Sequence, residues 1–332
     1  MHYQTLFTSG QDGYHTYRIP ALATAPAGPI LAFCEARRHN GRDDDKIDIL
    51  LRRSFDGGHT WTKRQLVVPS GGRTCGNPCP IVDTQTGLIW LLFCKDNQQV
   101  FATKSADLGQ TWAEPVEITH QAKDPSWSYV GTGPGHGIRL CCGRLLAPCW
   151  SDQSPGPVTW APEQPNWGKI QSSYALYSDD QGQTWHHSPN ITLDASDECS
   201  AFECSNGNVY MDMRSRKERK CRARALSLDR GQTWSPVEYD PRLPEPSCHG
   251  STLRIDETLY FAHPSDPKAR RQLALYQSRD QCQTFSAPTI LYPDSAAYSD
   301  LAATKTHLLC FFEADECARM VLGLIDYKNA TT

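Results

Sequence analysis

One octapeptide pattern recurs along this chain and restricts its fold more than any other feature. Ser54-Phe-Asp-Gly-Gly-His-Thr-Trp61, Ser105-Ala-Asp-Leu-Gly-Gln-Thr-Trp112, Ser178-Asp-Asp-Gln-Gly-Gln-Thr-Trp185, Ser227-Leu-Asp-Arg-Gly-Gln-Thr-Trp234 and Ser278-Arg-Asp-Gln-Cys-Gln-Thr-Phe285 all read Ser-x-Asp-x-Gly-x-Thr-aromatic. Only the fifth copy departs, with Cys282 for Gly and Phe285 for Trp. Successive copies start 51, 73, 49 and 51 residues apart. One octapeptide would mean little, whereas five in register define a structural repeat.

The pattern reads as a hairpin turn. Ser and Asp side chains bond nearby backbone N–H groups, Gly supplies positive φ, and Thr re-enters a strand. The closing aromatic is large enough to fill space between neighbouring sheets. Short apolar or alternating runs precede the turns, as in Ile47-Asp-Ile-Leu-Leu51 and Ser173-Tyr-Ala-Leu-Tyr177, and no helical period is sustained. A period near 50 residues built from short strands points to an all-β propeller. Five copies plus the segment 286–332, completed by the N-terminus, imply six four-stranded antiparallel blades in one domain spanning 1–332. The longest spacing holds an insertion around Ser154–Ile170, rich in Pro, Gln and Trp, that reads as a surface loop able to overhang the propeller mouth.

Composition fits this reading and narrows the partners. Apolar residues make up 39% of the 332 positions and aromatics 10%, with 23 Gly and 23 Pro. A formal net charge of −4 gives no general attraction for nucleic acid, so any anion recognition has to be local. Apolar runs such as Leu88-Ile-Trp-Leu-Leu-Phe93 are too short to cross a bilayer as a helix. Met1-His-Tyr-Gln shows neither a basic region nor an apolar one of the secretory type. That favours an intracellular, cytoplasmic setting; a secreted or lysosomal address would require a leader that has been removed. The 14 cysteines, including the adjacent Cys141-Cys142 and the Cys75/Cys79 pair, lack paired Cys-x-x-Cys spacing and read as buried free thiols of a reducing compartment. Asn190-Ile-Thr and Asn329-Ala-Thr match the glycosylation acceptor pattern, which matters only in a secreted chain.

Outside the turns, Tyr17-Arg18-Ile-Pro20 is the first motif without a scaffold role. Beside the repeated turn it resembles the sialidase (neuraminidase) family, and the resemblance extends from Tyr17 to Glu313. A sialidase acts on a sugar whose anomeric carbon carries a carboxylate, a group best held by planar guanidinium donors. The resemblance implies three: Arg18, Arg214 in Met211-Asp-Met-Arg-Ser215, and Arg270, with Arg271 as its immediate competitor. An attacking carboxylate would be repelled by the substrate's own, and a tyrosine deprotonated during attack is not. Tyr298 in Ala296-Ala-Tyr-Ser-Asp-Leu301 matches the family nucleophile. Glu203 in Ala201-Phe-Glu-Cys204 is preferred as its base for its spacing to Arg214, with Glu198 as rival. Asp43 falls at the acid/base position, with Asp44 beside it; alone, the Asp43-Asp-Asp run also reads as a solvated loop or a weak calcium site.

Three further positions are implied as substrate-binding. Arg37, with Arg38 adjacent, resembles the arginine near the sugar C4 substituent; Asn77 in Gly76-Asn-Pro-Cys-Pro80 lines the site; Glu313 orients the first arginine. His249 stands where many relatives carry Gln and is expected to alter contacts to the leaving group or the glycerol side chain. Gly133-Pro-Gly-His-Gly137 resembles the family's strand-entry turn near the acetamido side. The implied activity is exo-α-sialidase, acting with retention on sialylated oligosaccharides, glycoproteins or glycolipids, without metal or other cofactor. Trans-sialylation on the same site, and a non-catalytic sialoglycan-binding propeller, are the alternatives.

Overall fold

In the computed structural model, residues 1–26, 28–154, 170–192, 195–216 and 219–326 are described. They form β-strands and one short helix, α1 (Thr119–Ala122). Strand β1 (His2–Thr8) precedes a sheet of β2 (Thr16–Thr24), β3 (Ile30–Arg37), β4 (Ile47–Ser54) and β5 (Gln65–Val68). The second sheet holds β6 (Cys75–Val82), β7 (Ile89–Lys95), β8 (Gln99–Ser105) and β9 (Val116–Glu117). In the third, β10 (Tyr129–Thr132), β12 (Leu145–Asp152), β13 (Gln171–Ser178) and β14 (His186–His187) pair in order, with β11 (Ile138–Arg139) beside β12. The fourth holds β15 (Ser196–Glu203), β16 (Val209–Ser215), β17 (Cys221–Ser227) and β18 (Glu238–Pro244).

The remaining strands form one seven-stranded array: β19 (Ser251–Ile255), β20 (Thr258–Pro264), β21 (Arg271–Ser278), β22 (Thr289–Ala303), β23 (His307–Ala314), β24 (Arg319–Asp326) and then β1. Strand β22 is shared between two halves of this array. Its first part pairs with β21, from Thr289 to Ser295, and its second with β23, from Ala296 to Ala303. The N-terminal strand completes the far edge antiparallel to β24, with His2 opposite Leu324. All the strand-to-strand pairs are antiparallel, the arrangement in which short hairpins connect neighbours.

The repeated octapeptides explain how the sheets dock. In each copy the Ser hydroxyl donates to the Asp carboxylate and accepts the N–H four residues on: Gly58, Gly109, Gly182, Gly231 and Cys282 at 2.7–2.9 Å. The Asp carboxylate then takes both the N–H and the hydroxyl of the Thr, as Asp180 does from Thr184 at 2.8 and 2.6 Å. Glycine suits the fifth position for two reasons. Gly182 has φ +82°, and a Cβ there would come 2.4 Å from the Trp90 ring of the preceding sheet. Cys282 takes the same left-handed conformation, at φ 67°, and is buried.

The closing aromatics pack as anticipated. Trp112 lies on the cluster joining the first and second sheets, Trp185 within that of the second and third, and Trp234 on that of the third and fourth. Phe285 packs between the fourth sheet and β19–β21, and Trp61 against the cluster that joins β1, β23 and β24 to the first sheet. Strands such as β3 are buried along their whole length, so they read as continuous apolar runs rather than alternating ones. Most of the insertion around Ser154–Ile170, and the Asn329 acceptor motif, lie outside the described residues.

Candidate active site

Strands β2, β6, β15 and β22 share one device, a bulge with a single extra residue. Between paired positions Arg18 and Ala21, Gly76 and Cys79, Ser196 and Cys199, and Ala296 and Ser299, three steps on the strand face two on its partner. Such bulges re-aim side chains that would otherwise alternate across the sheet. The bulged residues are Ile19-Pro20, Asn77-Pro78, Asp197-Glu198 and Ala297-Tyr298. Asn77, Asp197, Glu198 and Tyr298, together with Arg18, line one cavity of about 400 Å³.

Tyr298 lies at its floor, 5% exposed. Its hydroxyl donates to Glu198 Oε1 at 2.6 Å and accepts from Arg214 Nη1 at 3.1 Å. Arg214 Nη1 also donates to Glu198 Oε2 at 2.8 Å, so phenol, carboxylate and guanidinium form a closed triangle. The guanidinium carbons of Arg18 and Arg270 stand 5.0 and 5.4 Å from the Tyr298 ring centroid. Burial, followed by the Glu198 charge, pushes the Tyr298 hydroxyl well above its ordinary range; the three guanidinium groups pull the other way. The resting phenol is therefore neutral, with a proton acceptor already hydrogen-bonded.

Arg18 is held by a carboxylate behind it. Its Nε and Nη2 donate to Glu313 Oε1 and Oε2 at 3.0 and 3.2 Å, and the Ile19 N–H adds a third bond at 2.9 Å. Glu313 is fully buried. Burial alone would raise its carboxyl, but Arg18 and these donors hold it below the ordinary value. Arg270 has a lighter attachment, Nη2 donating to the Ser247 carbonyl at 3.2 Å, and no carboxylate lies within ion-pair distance of it among the described residues. Its neighbour Arg271 is paired outward with Asp266. The geometry thus separates two residues that adjacency had left in competition.

The Asp43-Asp-Asp run divides in the same way. Asp43 faces the cavity, 2.7 Å from Arg37 Nη2 and 3.6 Å from Arg18 Nη1. Burial works to raise its carboxyl, yet Arg37 and Arg18 together hold it below the ordinary value. Asp44 turns outward to Arg42 at 2.8 Å. Asp45 caps the loop by accepting the His39 and Asn40 N–H groups at 2.6 and 3.0 Å. Arg37 is 1% exposed and lines the cavity, whereas Arg38 is tied to Asp48 on the far side. Among the described residues no cluster of three or more His, Cys, Asp or Glu side chains has metal-binding geometry.

Two expectations need correction. Glu203 does not reach Tyr298: it is the last residue of β15, where its Oε2 accepts the Cys141 N–H at 2.7 Å. Glu198 occupies the place expected for it. Five residues of extended strand separate the two glutamates, so the bulged end of β15 meets the cavity and its other end does not. A positional signal existed, since Glu198 precedes Ser227 by 29 residues much as Asn77 precedes Ser105 by 28. His249 likewise does not contact the cavity; it is fully buried behind Tyr298, with ring centroids 5.5 Å apart. Burial lowers its imidazole to about 4, so it is neutral there.

Three contributors went unrecognised in the sequence. Glu35 is 3% exposed, accepts from Arg37 Nη2 at 2.7 Å and from the Asn77 N–H at 2.9 Å, and so locks two cavity residues together. Asp197 lies 3.5 Å from Arg214 Nε and 3.4 Å from Arg216 Nη1. Its carboxyl is pushed up to about 6 by burial and by the neighbouring Glu198 against the pull of Arg214. Arg216 completes that wall. It lies one residue beyond the end of β16 and lines the same cavity as Arg214.

Comparison with known proteins places this architecture. The model of the BNR repeat-like domain matches residues 28–310, and the chain belongs to that family. Human Sialidase-3 is 28% identical over 98% of this chain and 92% of its own. Among solved structures, the Hadza microbial sialidase Hz136 superposes with a TM-score of 0.84 at 24% identity, covering 98% of this chain and 68% of that one. The leech intramolecular trans-sialidase, complexed with 2,7-anhydro-Neu5Ac, gives 0.79 at 16% identity, covering 100% of this chain and 71% of that one. Within the family the chain falls among the sialidases, which are glycoside hydrolases.

Proposed function

We propose that this chain is an exo-α-sialidase that removes terminal sialic acid from oligosaccharides, glycoproteins or glycolipids with retention of configuration. The observation that carries the reading is the 2.6 Å hydrogen bond from the Tyr298 hydroxyl to Glu198, set among the Arg18, Arg214 and Arg270 guanidinium groups. Those three groups take the substrate carboxylate. Tyr298 Oη attacks the anomeric carbon, its proton passes to Glu198, and the glycosidic C–O bond breaks as Asp43 protonates the departing oxygen. Water then attacks the sialyl-tyrosine with Asp43 as base, and the proton on Glu198 returns to the phenol. Asp43 gains from the substrate itself. A bound carboxylate offsets the positive field of Arg18, and the Asp43 carboxyl rises toward the range of a useful acid. Arg37, Asn77 and Glu313 serve binding and alignment.

The scaffold is read as one closed six-bladed propeller over 1–332. Hydrophobic clusters between successive sheets, one of them joining the last strands to the first sheet, support that closure. Division of the seven-stranded array at β22 supplies the fifth and sixth blades. Transfer to another hydroxyl is the second reading, favoured by the shared fold of the leech enzyme. Product NMR on sialyllactose separates free sialic acid from a 2,7-anhydro or transferred product. Replacing Tyr298 by Phe is expected to lower turnover of a fluorogenic sialoside by about 10³-fold or more with unchanged melting. Activity close to wild type in that variant would exclude the mechanism.

A further inference from the structure

Two of the three arginines around Tyr298 share one partner. Ser247 Oγ accepts from Arg214 Nε at 3.2 Å, and the Ser247 carbonyl accepts from Arg270 Nη2 at 3.2 Å. The hydroxyl proton is committed to the Ser215 carbonyl at 3.3 Å, which leaves the oxygen lone pairs for Arg214. Asp197 is the second neighbour of Arg214 Nε, at 3.5 Å. For Arg270 the Ser247 carbonyl is the one hydrogen-bond acceptor among the described residues. Ser247 is not one of the residues that line the cavity, so it reaches the cavity through these two guanidinium groups.

The backbone at Ser247 is left-handed, with φ 58°, a conformation that residues other than Gly, Asn and Asp seldom adopt. A staple holds it there. The fully buried Glu245 carboxylate takes the Ser215 N–H and hydroxyl on one oxygen, at 3.0 and 3.1 Å, and the Cys248 N–H on the other, at 2.7 Å. Arg222, 1% exposed and paired with Asp212, donates to the Cys248 carbonyl at 2.7 Å. Glycine would take this φ freely but brings no hydroxyl. A serine held in a sparsely populated conformation, with both its oxygens on cavity arginines, points to function. We propose that Ser247 is a positioning residue of the carboxylate clamp, its hydroxyl and carbonyl fixing Arg214 and Arg270 relative to each other so that both reach one substrate carboxylate. This rests on the sialidase reading above. Arg18 is backed by a carboxylate, Glu313, whereas Arg270 is backed by a neutral acceptor. A neutral acceptor orients the guanidinium without cancelling its charge, which stays available to the substrate.

The test uses the full chain carrying Ser247→Ala or Ser247→Gly. Alanine removes the hydroxyl and keeps the conformational cost, and glycine removes both. On a fluorogenic sialoside, each variant is expected to raise KM about five- to tenfold while kcat stays within about threefold of wild type. Equilibrium binding of 2-deoxy-2,3-didehydro sialic acid and of its carboxamide gives a readout that loosened packing alone would not move. The acid should lose about five- to tenfold in affinity in both variants and the amide less than about twofold, so the acid-to-amide ratio narrows. Thermal melting checks folding, and glycine, unstrained at this φ, carries the comparison if alanine lowers the melting point. Wild-type kinetics in Ser247→Gly, a loss carried by kcat alone, or an unchanged acid-to-amide ratio would overturn the assignment. If the unaltered protein neither cleaved the sialoside nor preferred the acid, the sialidase reading would fall, and this assignment with it.

Discussion

At the scale of single residues, the proposed catalysis turns on which glutamate faces the nucleophile. Glu198 is hydrogen-bonded to Tyr298, and Glu203 is bonded to a backbone N–H elsewhere. Glu198→Gln is accordingly expected to lower kcat by about 10²- to 10⁴-fold, the usual worth of a general base, while Glu203→Gln stays within about twofold of wild type. Steady-state kinetics on one sialoside checks both; the reverse ranking would restore Glu203. Arg18, Asp43, Arg214 and Tyr298 were legible because the chemistry dictates their types and recognisable motifs surround them. Glu198 was visible only as a rival, since the choice depends on a bulge and not on residue type. Asp197 and Arg216 were not legible, because a charged residue looks the same in sequence whether it faces solvent or a cavity.

At the scale of the element, the repeated turn is a network closed by a carboxylate. The Thr111 and Thr284 hydroxyls are the chief reason that Asp107 and Asp280 titrate at about 2; Asp56, Asp180 and Asp229 are also held below their ordinary values. These folded values lie below the unfolded value of about 3.9, so the stabilisation is complete above that pH and is lost as pH falls toward 2. Denaturant melts at pH 5, 4, 3 and 2 should show midpoints dropping through that window, with a smaller drop in Asp107→Asn. An identical drop in the variant would remove the turn as the cause. The turn itself was readable from sequence, including the packing of its closing aromatic between neighbouring sheets. The four bulges were not. They appear only when strand registers are compared, although Pro20 and Pro78, which cannot donate to a ladder, mark two of them.

At the scale of the whole molecule, strands from every sheet contribute side chains to one common cavity. That arrangement brings Arg18 and Glu313, 295 residues apart, into bidentate contact. Pairing of β1 with β24 joins the chain ends, as the sequence spacing had implied. The groups of the site come from several sheets, and none of them assembles the cavity alone. The most direct measurement of the central claim is covalent trapping. A 2,3-difluorinated sialoside, whose fluorines slow breakdown of a glycosyl-enzyme, would be incubated with the protein and the labelled peptide sequenced by mass spectrometry. One sialyl adduct is expected, on the oxygen of Tyr298, formed more slowly in Glu198→Gln. An adduct on Asp43, on either glutamate or on any other side chain would contradict it.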